Sequence, residues 1–412
     1  MNNKTHEPLF HLIKRSDISA KKAWTIRAVA FVLSILVCAI VSAILTDKGI
    51  GFFITKFFNG LFGSPRKVWN LFHETAIILI VALAVTPCFK MRFWNIGGEG
   101  QILMGALGSA VIIVFMGGNY ADGLTIFLSL ILAMAFSVVW ALIPAVFKAR
   151  WNTNETLLTL MMNYIAICIV KYFIKKVAPA TTGTLNFDSG VIQPIFNDNE
   201  FILKIIIVAV ITVIMAIYLK SSKHGYELTV VGESPNTARY IGLNTKKIII
   251  RTLILCGVLC GITGFLLVSA TNHSLGSETV GGRGFTGVLV SWLAHFNPIA
   301  MVLTSFLFVF VDMGATQVAT DARLGASYPS VMTGIFFFFI IATEFLINYK
   351  IVMRGKEKGE GDRGDSSEKK KSFTENLKTK IENLLSECKK LFLKKDKDSE
   401  GTKNEACVKE DE

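Results

Sequence analysis

Long apolar runs, almost free of charge, alternate along the chain with short polar stretches. An α-helix rises about 1.5 Å per residue, so about 20 apolar residues cross a bilayer core about 30 Å thick. On that measure the pattern predicts ten spans: Trp24–Leu45, Thr75–Phe89, Gln101–Met116, Leu124–Phe147, Thr156–Ile174, Phe201–Leu219, Ile249–Ala270, Phe285–Ala294, Pro298–Val311 and Val331–Ile347. The eighth and ninth are short and read as half-helices joined at His295-Phe296-Asn297-Pro298. The expected fold is an all-α polytopic membrane protein with about ten transmembrane helices, some short and broken, and a charged cytoplasmic tail. Residues 1–23 form an N-terminal cytoplasmic segment, 24–350 the transmembrane domain and 351–412 the tail.

The stretch from Phe93 to Ala106 breaks the apolar pattern between the second and third spans. It carries the amides Asn95 and Gln101, the acid Glu99, and three glycines, Gly97, Gly98 and Gly100, that supply a backbone turn. Glycine permits sharp turns and close backbone approach. Polar groups at membrane depth persist only where protein or a water-filled path satisfies them. The stretch is therefore either a solvent loop between two helices or a broken polar element lining a pathway. Glu99 either holds the turn or touches substrate. Gly97-Gly98-Glu99-Gly100 is echoed by Gly281-Gly282-Arg283-Gly284, each just before a short apolar span. Such an echo on opposite faces is the relation expected of inverted repeats, which place a transport site between two halves.

Composition agrees with a membrane protein: the chain is 52% hydrophobic, too apolar for a soluble globule of 412 residues. Its net charge is +12, and after residue 354 acids and bases nearly balance, so the excess belongs to the membrane part. That excess points to cytoplasmic loops beside anionic membrane lipid, not to nucleic acid. Lys90, Arg92, Lys148, Arg150, Lys220, Lys223, Arg239, Lys246 and Lys247 fall on one side of the ten-span topology. Lys48, Lys56, Arg66, Lys67, Lys175 and Lys176 oppose the bias, which still favours both termini inside. The basic residues before Ala28–Leu45 and the length of that run describe a retained first helix rather than a cleaved leader.

Five cysteines lie in apolar segments and read as small packing residues; Cys256 and Cys260 share a helix face. The histidines do not cluster with carboxylates at ligand spacing, so no metal is expected. No P-loop, zinc-protease or nucleophile-elbow motif occurs, which leaves catalysis and cofactors without a seat.

The largest inner loop, 220–248, contains Ser234-Pro235, a good helix start, and Gly242, a good helix stop. It predicts a short helix over Asn236–Ile241 that exposes Arg239 and Tyr240, either to dock into a partner or simply to solvent. Asn154 and Thr156 are candidate caps for the fifth span, which also carries Asn163. Glu155, Asn163, Asp312 and Glu344 need partners or water near apolar segments. Lys171 and Lys204 lie near span ends, where snorkelling accounts for them. In the tail, a capping box at Ser372–Glu375 and apolar residues from Leu377 to Leu391 predict an amphipathic helix over 373–392.

Several of these segments together resemble one family. Asn95-Ile96-Gly97-Gly98-Glu99-Gly100-Gln101, with Met104-Gly105-Ala106, is similar to a hallmark of bacterial ATP-binding-cassette permeases of the ribose and branched-chain amino acid type. Asn154-Glu155-Thr156 with Met162-Asn163-Tyr164-Ile165-Ala166 resembles the form in the nucleoside-import subset. Val231 to Gly242 looks like that family's coupling loop, and Gly282–Gly287 and Asn297-Pro298 also fit. The resemblance covers about residues 65–350 and leaves the charged tail unaccounted for. It implies a permease subunit in a bacterial plasma membrane, without enzymatic activity of its own. The implied partners are a cytoplasmic ATP-binding subunit, a second permease (a copy or a homologue) and an extracellular substrate-binding lipoprotein. It further implies a substrate pathway past Asn95, Glu99, Gln101 and Asn163, and ATPase coupling through Glu233, Ser234, Arg239, Tyr240 and Gly242. A simple-sugar permease of the same superfamily and an ion-coupled secondary transporter are the alternatives.

Overall fold

The computed structural model describes residues 10–14, 20–46, 49–179, 183–193, 200–325 and 327–353. The helix expected at 373–392 lies outside the described residues. In chain order the elements are β1 (Phe10–Lys14), α1 (Ala20–Thr46), α2 (Ile50–Phe62), α3 (Pro65–Lys90), α4 (Gly98–Met116), α5 (Asp122–Trp151) and α6 (Glu155–Val177). There follow β2 (Thr184–Asn186), α7 (Ile202–Ser221), α8 (Lys223–Glu233), α9 (Pro235–Tyr240) and α10 (Thr245–Phe265). A π-helical turn (Leu266–Asn272) extends α10 into β3 (Ser274–Gly276). The series ends with α11 (Arg283–Leu293), α12 (Pro298–Ala322), α13 (Tyr328–Asn348) and β4 (Tyr349–Met353).

Among the described residues nine helices are long and apolar enough to cross a bilayer: α1, α3 to α7, α10 with its π turn, α12 and α13. The all-α membrane fold follows the hydropathy pattern, and the boundaries differ in ways that have local causes. α3 begins at Pro65, well before Thr75, because the Ser64 side chain accepts from the Lys67 N–H and proline suits the first turn. The segment 46–73 contains α2, which buries Phe53, Phe57, Gly60 and Leu61 on one face. Its other face exposes Ile50, Ile54, Phe58 and Phe62, one residue per turn. The ninth span continues to Ala322 and is full length, so only the eighth is short.

That short helix, α11, has 11 residues and runs parallel to α3. Arg283 meets Glu74, Gly287 packs on Val81, Ser291 bonds Thr86, and the Phe296 ring stacks on Phe89. An 11-residue helix reaches only about 16 Å at 1.5 Å per residue. The residues just before it, 277–282, are turns and bends, and His295 and Phe296 turn the chain after it. α11 is thus too short to span alone, as expected, whereas α12, at 25 residues, is not a matching half-helix.

The chain divides into two compact units, residues 64–310 and residues 1–63 with 311–412. In the larger unit α3, α4 and α10 are buried over most of their length, whereas α5, α6 and α7 bury a third or less. The three buried helices form the core, and the outer ones turn apolar faces outward, as expected for helices that meet lipid. In the smaller unit Arg27 on α1 pairs with Glu344 on α13 at 2.8 Å, which accounts for that intramembrane acid. There β1 pairs antiparallel with β4, Phe10 opposite Met353, so the two ends of the described chain lie side by side.

Contact inside the core depends on small residues. A Cβ on Gly264 of α10 would lie 2.4 Å from the Ile102 carbonyl oxygen and 2.5 Å from the Ala106 nitrogen of α4. Backbone atoms cannot swing aside, so overpacking there costs about 1–3 kcal/mol. That exceeds the roughly 0.5–1 kcal/mol a helix gains when alanine replaces glycine. Gly264→Ala is therefore expected to lower Tm in detergent and the yield of folded protein. Gly123→Ala in α5, with nothing within 4 Å of its Cβ, should leave both unchanged or slightly raised. Matching melting curves for the two variants would refute this account of the core.

Candidate functional site

The break between α3 and α4 lies inside the larger unit. Met91 to Gly97 form a non-helical turn, and Asn95, Glu99 and Gln101 are 0%, 8% and 1% exposed. It is not a solvent loop. None of Gly97, Gly98 and Gly100 adopts a positive φ; they are close-approach glycines, whereas Gly281 and Gly282 of the echo do turn left-handed, at φ +59° and +79°.

Side chains close the backbone groups that the break opens. The Asn95 and Gln101 amides face each other, Asn95 Nδ2 donating to Gln101 Oε1 at 3.5 Å and Gln101 Nε2 to Asn95 Oδ1 at 3.4 Å. Asn95 Oδ1 also accepts from the Gly97 N–H at 3.0 Å. The Cys256 thiol lies 3.3 Å from both amides, so this cysteine does more than fill space. From α6, Asn163 accepts the Gly100 N–H at 2.9 Å and donates to the Ile96 carbonyl at 3.0 Å. Thr159 accepts the Ile96 N–H at 3.2 Å. The first four N–H groups of a helix have no partner within it; at α4 a neighbouring helix supplies one.

Glu99 projects from this helix start onto the other Gly-rich turn. Its Oε1 accepts from the Gly282 N–H at 2.8 Å and its Oε2 from the Gly284 N–H at 2.7 Å. A Cβ on Gly284 would come within 2.3 Å of the Glu99 nitrogen. The two echoed motifs, far apart in sequence, are thus in direct contact, and the starts of α4 and α11 meet there.

At the same end of α3, beside Lys90, the loop 220–248 builds two helices. Ser222 caps α8 by accepting from the Gly225 N–H at 3.0 Å. Ser234 caps α9 by accepting from the Thr237 N–H at 3.2 Å. α9 spans Pro235–Tyr240, one residue earlier than expected, and ends as Leu243 N–H reaches back to Ala238 O and Gly242 N–H to Arg239 O, with Gly242 at φ +83°. Ala238 is buried, whereas Glu233, Arg239 and Tyr240 are exposed, Tyr240 by 94%. Gly232 sets α8 directly against the end of α3, where its Cβ would fall 2.1 Å from the Lys90 carbonyl oxygen. His224 is buried on α8 between Glu227 and Thr252, 3.2 Å from each. Burial holds its imidazole below the ordinary 6.5, with Glu227 pulling the other way.

Other residues are placed as follows. Asn154 caps α6, accepting from the Leu157 N–H, and Glu155 pairs with Lys148 at 2.8 Å. Lys204 does not snorkel: it is 1% exposed, and its ammonium donates to the Ala270 carbonyl in the π turn at 2.7 Å. Beside it His73 bonds Thr271 at 3.2 Å, and Glu74 takes a two-pronged contact from Arg283 at 3.0 and 2.9 Å. This cluster had no signal in the sequence beyond a lone lysine in an apolar run, because its members come from α3, α7, the π turn and α11. Among the described residues no group of three or more His, Cys, Asp or Glu is placed to hold a metal.

A family model described as "Branched-chain amino acid transport system / permease component" matches residues 68–349. The guanosine ABC transporter permease protein NupP of Bacillus subtilis is 27% identical over 312 residues, 73% of this chain and 88% of that protein. The nucleoside ABC transporter permease protein NupB of Lactococcus lactis is 25% identical over 364 residues, 84% of this chain and 94% of that one. The glucose ABC transporter permease protein TsgB13 of Haloferax volcanii is 24% identical over 310 residues, 70% and 80% of the two chains. With a buried helix break and a capped loop meeting at the Lys90 end of α3, and a family match over most of its length, the chain belongs to the ABC-importer permeases of the branched-chain amino acid type.

Proposed function

We propose that the chain is the permease subunit of an ATP-driven importer and forms the transmembrane pathway for nucleosides. The observation that carries the reading is that relatives aligned over most of both chains are named as guanosine and nucleoside permeases. Permeases of this family work with an ATP-binding subunit and a substrate-binding protein. In our reading the first is cytoplasmic, the second an extracellular lipoprotein, and a second permease, a copy or a homologue, completes the pathway. Both termini are cytoplasmic, and the chain leaves ATP hydrolysis to its partner.

The binding protein releases substrate at the outer end. Closure of the ATPase pair bears on α9, where Glu233, Arg239 and Tyr240 are exposed. α8 passes the load to the end of α3 through the Gly232–Lys90 contact. The pathway runs beside the break held by Asn95, Glu99, Gln101 and Asn163. Nucleosides are uncharged, aromatic and hydroxyl-rich, and amides set among apolar walls suit such a ligand. TsgB13 supports a simple sugar as the second reading.

Uptake of labelled guanosine, adenosine and glucose by cells carrying the complete transporter separates the two readings. Guanosine uptake that needs the ATPase supports the first; glucose uptake alone supports the second. Uptake that ignores loss of the ATPase and collapses with a protonophore would show an ion-coupled transporter instead.

Arg239→Glu is expected to cut substrate-stimulated ATP hydrolysis at least tenfold while leaving yield and melting unchanged, since the side chain is exposed on a six-residue helix. Wild-type coupling in that variant would remove α9 from the contact.

The buried His224 adds a pH dependence. Its folded value lies below the ordinary 6.5, so the docking of α8 is fully stable above about pH 6.5. Stability falls as pH drops from there through the lowered folded value, because the released segment takes up the proton first. Protection factors in 223–233, the intrinsic exchange rate at each pH divided by the observed one, should therefore fall below about pH 6.5 in wild type and lose that dependence in His224→Gln. Equal pH profiles would show that His224 is not the titrating group.

A further inference from the structure

The contact between Glu99 and the second Gly-rich turn is more than a hydrogen-bonded packing detail, because of where its charge is balanced. The Glu99 side chain is buried, and both carboxylate oxygens accept backbone N–H groups, from Gly282 and Gly284, at 2.8 and 2.7 Å. Among the described residues no lysine, arginine or histidine forms an ion pair with it. The nearest candidate, Arg283, sits between the two donor residues in sequence but directs its guanidinium to Glu74. What faces Glu99 instead is the start of two helices. Glu99 lies in the first turn of α4, and its oxygens lie on the first turn of α11, an 11-residue helix. Helix N-termini carry partial positive charge and open N–H groups. Left-handed glycines such as Gly281 and Gly282 aim successive N–H groups into one concavity that suits an anion.

In transporters built from broken helices, such paired starts face anionic substrate groups. Here the seat is taken by the chain's own carboxylate. We propose that Glu99 is a built-in anion: its ionised carboxylate fills an anion seat formed where the starts of α4 and α11 meet, clamps the two breaks together, and closes that seat to anionic solutes. It is a positioning residue, acting through α11. The exclusion of anions rests on the reading of the chain as a solute pathway; the seat itself does not.

Removing the side chain should leave an empty seat that a small anion of the same chemistry can refill. In the assembled transporter, Glu99→Ala is expected to melt lower than wild type. Formate should then raise its Tm in a dose-dependent way by about 2–4 °C. Formamide, of the same shape without the charge, should not, and wild type should respond to neither. A purely steric role for Glu99 would give equal responses to formate and formamide. Equal responses, no response, or an equal rise in wild type would overturn the proposal. Should Glu99→Ala fail to accumulate, Glu99→Gln keeps the volume and removes the charge. It is expected to melt below wild type and to ignore formate, since its amide occupies the seat; wild-type stability in Glu99→Gln would equally overturn the proposal. These melting experiments need no transported substrate, so a failure of nucleoside uptake would sink the functional reading and leave this test intact.

Discussion

A bilayer interior offers no water to an unpaired N–H or carbonyl, so every interruption of a helix at membrane depth must be closed by the protein itself. That constraint shapes the larger unit. Two interruptions occur, one before α4 and one before α11, and each is closed by groups from elsewhere in the fold. Asn163 and Thr159 of α6 satisfy the backbone at Ile96 and Gly100. Glu99 satisfies Gly282 and Gly284. Leaving a buried donor open costs about 1–3 kcal/mol. Several such bonds converge on residues 95–101, so the turn has a single well-defined arrangement and the helices around it are fixed to one another.

The π turn at the other end of α10 obeys the same rule. Thr271 bonds the Leu266 carbonyl at 3.0 Å, and the Lys204 ammonium takes the Ala270 carbonyl. A lysine inside an apolar helix is costly unless its charge is solvated by protein. The carbonyls freed by irregular backbone supply that solvation, so lysine and π turn stabilise each other. The neighbouring Glu74–Arg283 pair then fixes the level at which α11 begins against α3.

The legible part of this architecture was the part written locally. Apolar run length predicted the long helices, and short-range capping chemistry predicted the starts of α6 and α9 at Asn154 and Ser234. The glycines around Glu99 marked a break, although their reason is close approach rather than left-handed turning. What could not be read was whatever joins distant segments. Glu99 and its two donors are separated by 183 and 185 residues. No pattern of hydropathy contains that pairing, and only the echo of Gly-Gly-x-Gly hinted that the two turns were related. Lys204 was misread for the same reason, since its partner is a carbonyl that becomes free only when α10 shifts into a π turn. The boundary between a full span and a broken one at α11 is likewise set by contact with α3, not by residue type.

The arrangement also separates where charge is held from where it is offered. Within the larger unit the acid at the break and the lysine in α7 are both engaged at short range, while Arg239 and Tyr240 on α9 stand in the open. α9 leads into α8, α8 abuts the Lys90 carbonyl through Gly232, and Lys90 is the last residue of α3. The next residues along the chain are the turn itself, with Asn95 bonded to Gly97 and Gln101. Covalent continuity and one backbone-to-backbone contact thus connect the exposed knob to the buried break, with no flexible side chain between them to absorb a displacement. A closely packed core is poorly compressible and transmits strain. A push at α9 would therefore reach the break as motion of the end of α3, and the Glu99 clamp would carry it on to α11.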